Sequence, residues 1–435
     1  MTGKRQNIHV LTLGCSKNLV DSEYLLRQLE QANVNARAVD NINQADTIII
    51  NTCGFILDAK QESIDTILEA VEAKKEGRLK RIFVTGCLSE RYKSDLQELI
   101  HEVDGFFGAY ELKNIIAALG IPYSAEIENE RMVTTPPHYA YLKIAEGCNR
   151  KCSFCAIPLI KGKYKSRSIK DIVHEAEYLA LHGVKELMLI AQDLSYFGYD
   201  THRKKLLPQL LDELSLISGI EWIRLHYTYP AGFPVLILDQ MRENPKICKY
   251  LDIPFQHISN NMLRLMQRGI NKEKTLQLIH KIREKVPGIA LRTTLMVGHP
   301  GETREDFREL LEFVLQTRFE RLGVFTYSHE EDTVSYRKYK DEIRSSDKEM
   351  MAGELMNIQQ DISKSLNEAK EGEIFKTIID RREGDYFIGR TELDSPEVDN
   401  EVLVSACLNP EIKVGQFYDI LITRADVFDL HGEPA

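Results

Sequence analysis

Three closely spaced cysteines, Cys148, Cys152 and Cys155, constrain this chain more than any other feature. They follow an apolar, strand-like run, Tyr141 to Ile144, and a glycine. Three thiolates on one loop can hold three corners of an iron–sulfur cube, whereas a structural zinc site normally uses four protein ligands, and no fourth cysteine lies nearby. The spacing therefore predicts a cluster with one open iron. A zinc knuckle or a chance grouping of cysteines is the alternative.

The composition is that of an ordinary globular protein with two or three domains. The 435 residues are 43% hydrophobic and 28% charged. The first residues, MTGKRQNIHVLTLG, contain no apolar export signal, and no apolar run is long enough to cross a bilayer. Eight cysteines in an unexported chain favour metal or redox chemistry in the reducing cytoplasm over disulfides. The net charge of −10 argues against non-specific binding of nucleic acid.

An N-terminal domain is predicted over residues 1–125. Its buried parallel strands and crossover helices alternate, which indicates a doubly wound α/β fold. The predicted strands are Ile8–Leu13, Thr47–Asn51 and Arg81–Thr85, and the predicted helices are Asn18–Glu30, Ala59–Ala73 and Glu90–Ile100. Cys15, Cys53 and Cys87 each follow one of these strands, where ligands of such sheets bind. We expect a second site of three thiolates at this edge. Inert packing or a redox-sensing set is the alternative.

Residues 121–138 lack periodicity and contain three prolines, which predicts a linker between domains. A second βα alternation follows over residues 135–365. Its predicted strands are Tyr141–Ala145, Val184–Ala191, Glu221–Tyr227, Tyr250–Ile253, Ala290–Val297 and Arg321–Tyr327, and its predicted helices include Ile169–Leu181, Asn271–Lys285 and Arg304–Gln316. Six units are too few to close an eight-stranded barrel, so we expect an open (βα)6 partial barrel.

The last part of the chain is rich in predicted strands. Residues 330–350 are strongly charged and are predicted to be a connecting loop, and Met350–Ala369 is predicted to be a helix. The strands predicted after the helix are Ile374–Asp380, Tyr386–Arg390, Val402–Ala406 and Phe417–Ile422. They indicate a small antiparallel β-barrel over residues 370–435.

The cysteine spacing and the domain order together resemble a known family. The CxxxCxxC loop after a first barrel strand is similar to that of the radical S-adenosylmethionine (SAM) superfamily, in which SAM binds the open iron. The N-terminal domain with three cysteines resembles the methylthiotransferase branch, and the terminal barrel resembles its TRAM domain. GCSKNLVDSE at 14–23 and GFILDAKQESIDTILE at 54–69 are similar to the ribosomal-protein (RimO type) enzymes. The transfer-RNA (MiaB type) enzymes tend to carry a Gln-Met-Asn pattern after the first cysteine.

The resemblance implies two [4Fe–4S] clusters, one on Cys148, Cys152 and Cys155 and an auxiliary one on the N-terminal cysteines. It also implies SAM as a cofactor. Phe154 matches the aromatic residue that the family places beside the adenine, and the GHPGE stretch 298–302 corresponds to the family's GFPGET stretch, with His299 in place of the aromatic residue. The residues expected to contact SAM are Phe154, Gln192, Asp193, Arg292, Gly298 and Gly301. Asp252, Gln256, Thr294 and Arg167 are weaker candidates, and His226 and His257 are as readily structural as catalytic.

In the family, one SAM methylates sulfur associated with the auxiliary cluster. A second SAM is cleaved reductively to a 5′-deoxyadenosyl radical, which removes a hydrogen from the substrate carbon. The family's substrate is an aspartate of small-subunit ribosomal protein twelve, modified at its β-carbon. An electron donor such as flavodoxin or ferredoxin is implied. No general base could remove this hydrogen, because an unactivated aliphatic C–H is too weak an acid.

The distribution of charge favours a protein substrate over a nucleic acid. From Leu366 to Ala435 the chain has 7 Lys+Arg and 16 Asp+Glu, so this part carries −9 and the rest carries −1. We expect this surface to attract a basic ribosomal protein and to repel transfer RNA. The alternatives are a transfer-RNA adenosine methylthiotransferase, a non-catalytic iron–sulfur or zinc protein, and a charge that only aids solubility. Cys248 and Cys407 lie outside both trios of cysteines.

Overall fold

The computed structural model describes residues 6–32 and 36–435. The first five residues of the predicted N-terminal domain therefore lie outside the described part of the chain. In this part of the chain three large β-structures follow one another, a five-stranded sheet, a six-stranded sheet and a closed barrel, and there is also a short two-stranded sheet. None of the helices in residues 6–32 and 36–435 combines the length and apolar character that crossing a membrane requires.

The N-terminal sheet is parallel in the order β2-β1-β3-β4-β5. Strands β3 and β4 are almost wholly buried because helices cover both faces of the sheet, as the doubly wound prediction requires. The elements are β1 Gln6–Thr12, α1 Ser16–Gln31, β2 Ala36–Ala38, β3 Thr47–Thr52, α2 Leu57–Lys75, β4 Arg81–Gly86, α3 Cys87–Leu99, β5 Gly105–Phe106 and α4 Leu112–Ala118.

The central sheet has six parallel strands in the order β13-β12-β11-β10-β9-β6, which confirms the open partial barrel. One face carries the aliphatic core that packs against the helices. Its elements are β6 Tyr139–Lys143, β7 Ala145–Glu146, α5 Ile157–Ile160, β8 Lys165–Ser166, α6 Ile169–Leu181, β9 Glu186–Ile190, α7 Tyr199–His202, α8 Leu207–Ser215, β10 Trp222–Leu225, α9 Leu236–Glu243, β11 Ile247–Asp252, α10 Asn260–Leu265, α11 Lys272–Lys285, β12 Ala290–Val297, α12 Arg304–Thr317 and β13 Arg321–Thr326.

The C-terminal strands close a barrel in the order β14-β15-β16-β18-β17. Its pairs are antiparallel except β16 with β18, which is parallel, so the predicted barrel is confirmed with one difference in strand direction. The last elements are α13 Val334–Lys338, α14 Ser345–Glu368, β14 Ile374–Glu383, β15 Tyr386–Thr391, β16 Val402–Ser405, β17 Phe417–Ala425 and β18 Leu430–Pro434.

The predicted loop over residues 330–350 is wrong. Helix α13 lies inside it, and α14 begins at Ser345, five residues before the predicted start. The Thr333 side chain accepts the backbone N–H of Tyr336 and so caps α13. Lys348 is buried, and its ammonium lies 2.7 Å from Asp341. Because the buried side chain is charged, the sequence of this helix resembles that of a solvent-exposed loop. The prediction also missed β2, β5 and β18.

One buried arginine joins the N-terminal and central sheets. Arg131 lies in the irregular linker and is 1% exposed. Its guanidinium pairs with Glu23 of α1 and, at 2.6 Å, with Glu175 of α6, and it also donates to the carbonyl of Tyr141 on β6. Two carboxylates from different domains therefore share one cation, which fixes α1 against the first barrel strand.

A second buried ion pair joins the same two domains on another side. Glu330, which follows β13, accepts the ammonium of Lys60 at 2.8 Å and the guanidinium of Arg91 at 3.1 Å. Lys60 lies on α2 and Arg91 on α3, and the Glu330 side chain is only 3% exposed. The two domains are thus connected through charged groups that water cannot easily replace.

Replacing Arg131 with Met is expected to leave Glu23 buried without this counter-charge, while Glu175 keeps its pair with Arg167. Loss of one partner from a buried ion pair costs about 3–5 kcal/mol of unfolding free energy, so denaturant titration should show a change of this size. Arg27→Met is the matched control, because Arg27 pairs with Glu130 and Glu30 at partly exposed positions and should change stability by about 1 kcal/mol or less. Equal effects of the two substitutions would contradict the proposed connection.

Candidate functional site

The loop that carries Cys148, Cys152 and Cys155 begins where β6 and β7 end. Gly147 has φ +68°, and a Cβ there would collide with the carbonyl oxygen of Lys163, so only glycine fits. The Cys148 N–H donates to the Gly162 carbonyl at 3.1 Å, and the Cys155 N–H donates to the Cys152 carbonyl at 3.2 Å. The loop is therefore closed on itself near the carboxyl end of the first strand.

The middle of the loop is held through buried Ser153. Its N–H donates to the Met266 carbonyl at 3.0 Å, and its hydroxyl donates to the Leu265 carbonyl at 2.7 Å. The Ser335 hydroxyl donates to the Ser153 hydroxyl at 2.9 Å and lies 2.9 Å from Nε2 of His299. Burial lowers the pKa of His299 to about 4, so the imidazole is neutral at pH 7. A histidine at this position thus serves as a hydrogen-bonding support for the cysteine loop.

Polar groups approach the sulfur atoms directly. The Arg268 guanidinium donates to Sγ of Cys152 at 3.2 Å, and the Tyr229 hydroxyl lies 3.5 Å from the same sulfur. The Arg150 N–H donates to Sγ of Cys148 at 3.4 Å. Burial raises the pKa of Cys148 to about 11 and also raises the pKa of Cys155. Cationic and N–H donors around thiols compensate the negative charge that thiolates acquire on binding a metal.

The second trio of cysteines lies at the ends of three neighbouring strands. Cys15 follows β1 and caps α1, Cys53 follows β3, and Cys87 is the first residue of α3 after β4. A Cβ on Gly14 would lie 3.0 Å from Sγ of Cys53, and a Cβ on Gly54 would lie 2.7 Å from the backbone nitrogen of Leu88. The two glycines therefore allow the three turns to approach each other closely.

Asn18 joins the same three turns. Its amide donates to the Leu13 carbonyl at 3.0 Å and to the Thr52 carbonyl at 3.1 Å, and the Cys87 thiol lies 3.6 Å from its Oδ1. Burial raises the pKa of Cys87 to about 12, with a further increase from Cys15 and Cys53 and an opposing effect of Lys161. The structure thus brings together three thiols from distant parts of the sequence.

One cysteine of the second trio packs beside the cysteine loop of the first. Cys87 packs in one buried cluster with Ala156 and Ile160, and Ala156 follows Cys155 directly. Within the described ranges, no three His, Cys, Asp or Glu side chains are placed to hold a metal ion. In a [4Fe–4S] cluster each thiolate binds a different iron, so its sulfurs stand farther apart than the ligands of a single ion. The donor set of three thiols with surrounding N–H groups fits such a cluster and does not fit a four-ligand zinc site.

The structure distributes the residues expected to contact SAM over several environments. Phe154 and Gln192 are half-buried beside the cysteine loop and at the end of β9. Asp193 is buried and accepts the Arg150 guanidinium at 2.7 Å, so it positions the loop. Arg292 lies early in β12 and pairs with Asp399 of the segment after β15, so a SAM contact would require it to leave that carboxylate. These assignments stay predictions.

Gly298 and Gly301 follow β12. A Cβ on Gly298 would collide with the side chain of Lys348, and a Cβ on Gly301 would lie 2.9 Å from Cδ1 of Leu265. Glu302 accepts the Gly298 N–H at 2.5 Å and lies 3.3 Å from Nε2 of His257. The glycines therefore admit neighbouring side chains, and His257 supports the turn.

Sequence reasoning missed Arg268 and Tyr229. They contact Cys152 from 116 and 77 residues away along the chain, and neither belongs to a spaced motif. Arg150 could have been noticed in the sequence, because it is a cation between two of the cysteines. The structure shows that its side chain is paired with the buried carboxylate of Asp193.

Comparison with known proteins defines the class. The model of the radical SAM superfamily matches residues 142–314, that of uncharacterized protein family UPF0004 matches 7–108, and that of the TRAM domain matches 372–434. The solved structure of the radical SAM methyltransferase TsrM from Kitasatospora setae is 14% identical with a TM-score of 0.56, covering 74% of this chain and 75% of that chain, so it shares the fold. The chain is a radical SAM enzyme, which implies SAM and a [4Fe–4S] cluster as cofactors.

Two relatives narrow the class. The "Ribosomal protein uS12 methylthiotransferase RimO" of Bacteroides thetaiotaomicron is 55% identical over 99% of this chain and 98% of the relative. The protein of the same name from Christiangramia forsetii is 54% identical over 99% of this chain and 95% of the relative. The chain belongs to the RimO family of ribosomal-protein methylthiotransferases, as the sequence resemblance predicted.

Arg268 is expected to raise the reduction potential of a cluster bound by Cys148, Cys152 and Cys155. Its positive charge and N–H group stabilise the more negative, reduced state. Arg268→Met should lower the potential by roughly 40 mV in an EPR-monitored redox titration, which corresponds to about 1 kcal/mol for a one-electron couple. Arg264→Met, a change at an exposed arginine of α10, should leave the potential unchanged. An unshifted potential in Arg268→Met would contradict this role.

Proposed function

We propose that this enzyme attaches a methylthio group to the β-carbon of an aspartate in ribosomal protein uS12, using two SAM molecules and two [4Fe–4S] clusters. The observation that carries the proposal is the packing of Cys87 against Ala156, the residue after Cys155, which supports a placement of the two trios within reach of one substrate. A reaction that moves sulfur to a carbon activated elsewhere needs both sites within reach of one substrate atom.

Cys148, Cys152 and Cys155 would hold one cluster, and Cys15, Cys53 and Cys87 would hold the other. With SAM bound, the first cluster supplies the electron that generates an organic radical able to remove an unactivated hydrogen, and the second supplies the site of the sulfur to be transferred. Arg268, Tyr229 and the N–H of Arg150 surround the first trio and stabilise its negative charge.

The rest of the chain positions these groups and excludes water. Ser153, Ser335 and His299 fix the cysteine loop, and Asn18 fixes the three turns of the second trio. Arg131 and Glu330 keep the domains from separating. A radical is protected from side reactions when its site is closed and rigid.

The acidic C-terminal barrel supports a basic protein as substrate, although part of its charge is already neutralised. Asp394 pairs with Arg321, and Asp399 pairs with Arg292, inside the molecule. The acidic side chains that remain exposed are Glu371, Glu373, Glu383, Asp385, Glu397, Glu411, Asp419, Asp426 and Glu433, against exposed Lys376, Arg381, Arg382, Lys413 and Arg424. The exposed surface thus keeps an excess of acidic side chains, which would attract a basic partner protein in the cytoplasm. The electrons for the reaction would come from a flavodoxin or ferredoxin.

Anaerobic reconstitution tests the number of clusters. Two [4Fe–4S] clusters predict about eight irons per chain, and one cluster predicts about four. Cys148→Ala should remove about four irons and abolish production of 5′-deoxyadenosine, because the remaining cluster is on the other trio. Cys407→Ala, a change at an exposed cysteine outside both trios, is the control and should keep both. About four irons in the unaltered chain would reject the two-cluster proposal.

Salt dependence tests the acidic docking surface. Raising the salt concentration from about 0.1 M to 1 M shortens the Debye length from about 10 Å to 3 Å, so binding of purified uS12 should weaken strongly. Glu411→Lys should weaken binding at low salt and have little effect at high salt. Binding that is insensitive to salt in both proteins would show that docking is not electrostatic.

A further inference from the structure

Lys17 is a buried cation that, among the described residues, is balanced only at a distance, by Glu146 and Asp252. It lies in the first turn of α1, two residues after Cys15, and is 5% exposed. Its ammonium sits 3.4 Å from the ring centroid of Tyr227, at the end of β10. In residues 6–32 and 36–435, no acceptor lies within hydrogen-bonding or ion-pair distance of it. The cation–π contact therefore directs the charge toward the central sheet.

The acids nearest to this position are occupied by two other lysines. Lys143 pairs with both Asp21 and Glu146. The Lys161 ammonium lies 3.6 Å from Asp21 and 4.0 Å from Glu146. Asp21 and Glu146 are thus engaged by Lys143 and Lys161, and neither forms an ion pair with Lys17. A buried charge without a direct partner is costly, so Lys17 favours an external anion.

The start of α1 adds to the same field. The helix is 16 residues long, its first turn contains no acidic residue, and its N-cap Cys15 makes no side-chain hydrogen bond. The positive end of the helix dipole therefore lies in the same turn as Lys17 and Cys15.

The central sheet balances the charge of Lys17 only at a distance. Asp252 accepts the Tyr227 N–H at 3.1 Å, and burial raises its pKa to about 6, so at pH 7 it is mostly ionised and attracts Lys17 without an ion pair between them. His226 lies 3.1 Å from the Ser395 hydroxyl, and burial together with Arg224 and Arg292 lowers its pKa, so it is neutral. Arg292 is bound to Asp399. Lys17 thus remains a cation two residues from Cys15 that has no carboxylate in direct contact among the described residues.

We propose that Lys17 binds the side-chain carboxylate of the substrate aspartate and so determines that the enzyme accepts aspartate and not asparagine. This inference rests on the proposed function, which places the β-carbon of that aspartate between the two trios. The carboxylate is one bond from the β-carbon. Holding it at Lys17, next to Cys15, fixes the rotation of the side chain and presents the carbon to both sites.

Binding by the complete enzyme, loaded with both clusters and SAM, tests the inference without turnover. The probes are purified uS12 and its variant with asparagine at the modified position. A charged hydrogen bond makes the aspartate form bind about tenfold to a hundredfold more tightly to the unaltered enzyme. Lys17→Met should bind both forms equally within about twofold, Lys17→Arg should restore most of the preference, and Tyr227→Phe, which keeps the aromatic ring, should retain it.

The outcomes separate the inference from the function on which it rests. If the unaltered enzyme does not methylthiolate the aspartate, as judged by mass spectrometry, the proposed function fails whatever Lys17 does. If it does so and Lys17→Met still prefers aspartate, the carboxylate is held elsewhere and the inference is overturned. A loss of iron or an altered EPR signal in Lys17→Met, with the preference kept, would assign the charge to the auxiliary cluster and would also overturn it.

Discussion

Buried charge sharing between domains is the interaction on which the rest of the structure depends. Glu23 and Glu175 come from different domains, and both pair with the same guanidinium, that of Arg131, while Glu175 also pairs with Arg167. If the domains separated, Arg131 would lose at least one of its two carboxylates. A buried network of this kind favours one relative placement of the domains over many loose ones, because almost any displacement leaves a charge unpaired. The relative position of the two trios of cysteines depends on this placement of the domains.

Buried charged groups also join the central sheet to the C-terminal barrel. Arginines of its inner face contact the segment 391–400 of the C-terminal barrel: Arg224 donates to the Glu392 carbonyl at 2.7 Å, Arg292 pairs with Asp399 and Arg321 pairs with Asp394. Glu186 on β9 also forms an ion pair with Arg390 of β15 at 2.5 Å. The C-terminal barrel is therefore attached to the inner face of the open sheet through buried charged groups. Its acidic composition serves the fold as well as any partner.

The sequence was sufficient wherever one local pattern decided the structure. Ala290–Val297 and Ile169–Leu181 were predicted with their observed ends, because a strand of alternating burial and a helix capped by Ser168 each carry their own signals. The charged segment 330–350 was misjudged because its helices bury polar side chains such as Ser335 and Lys348, which periodicity of apolar residues cannot reveal. At the site, strand ends and spacing were enough to predict both trios of cysteines. The contacts of Arg268 and Tyr229 with Cys152 depend on tertiary packing and could not be predicted.

Spin coupling between the two reduced clusters tests most directly whether the two trios face each other. EPR spectra would be compared between the fully loaded enzyme and two variants, one with Cys15, Cys53 and Cys87 replaced by Ala and one with Cys148, Cys152 and Cys155 replaced by Ala. The structure predicts that the spectrum of the loaded enzyme is broadened or split by magnetic interaction and differs from the sum of the two variant spectra. A spectrum equal to that sum, with both clusters present and reduced, would contradict the account.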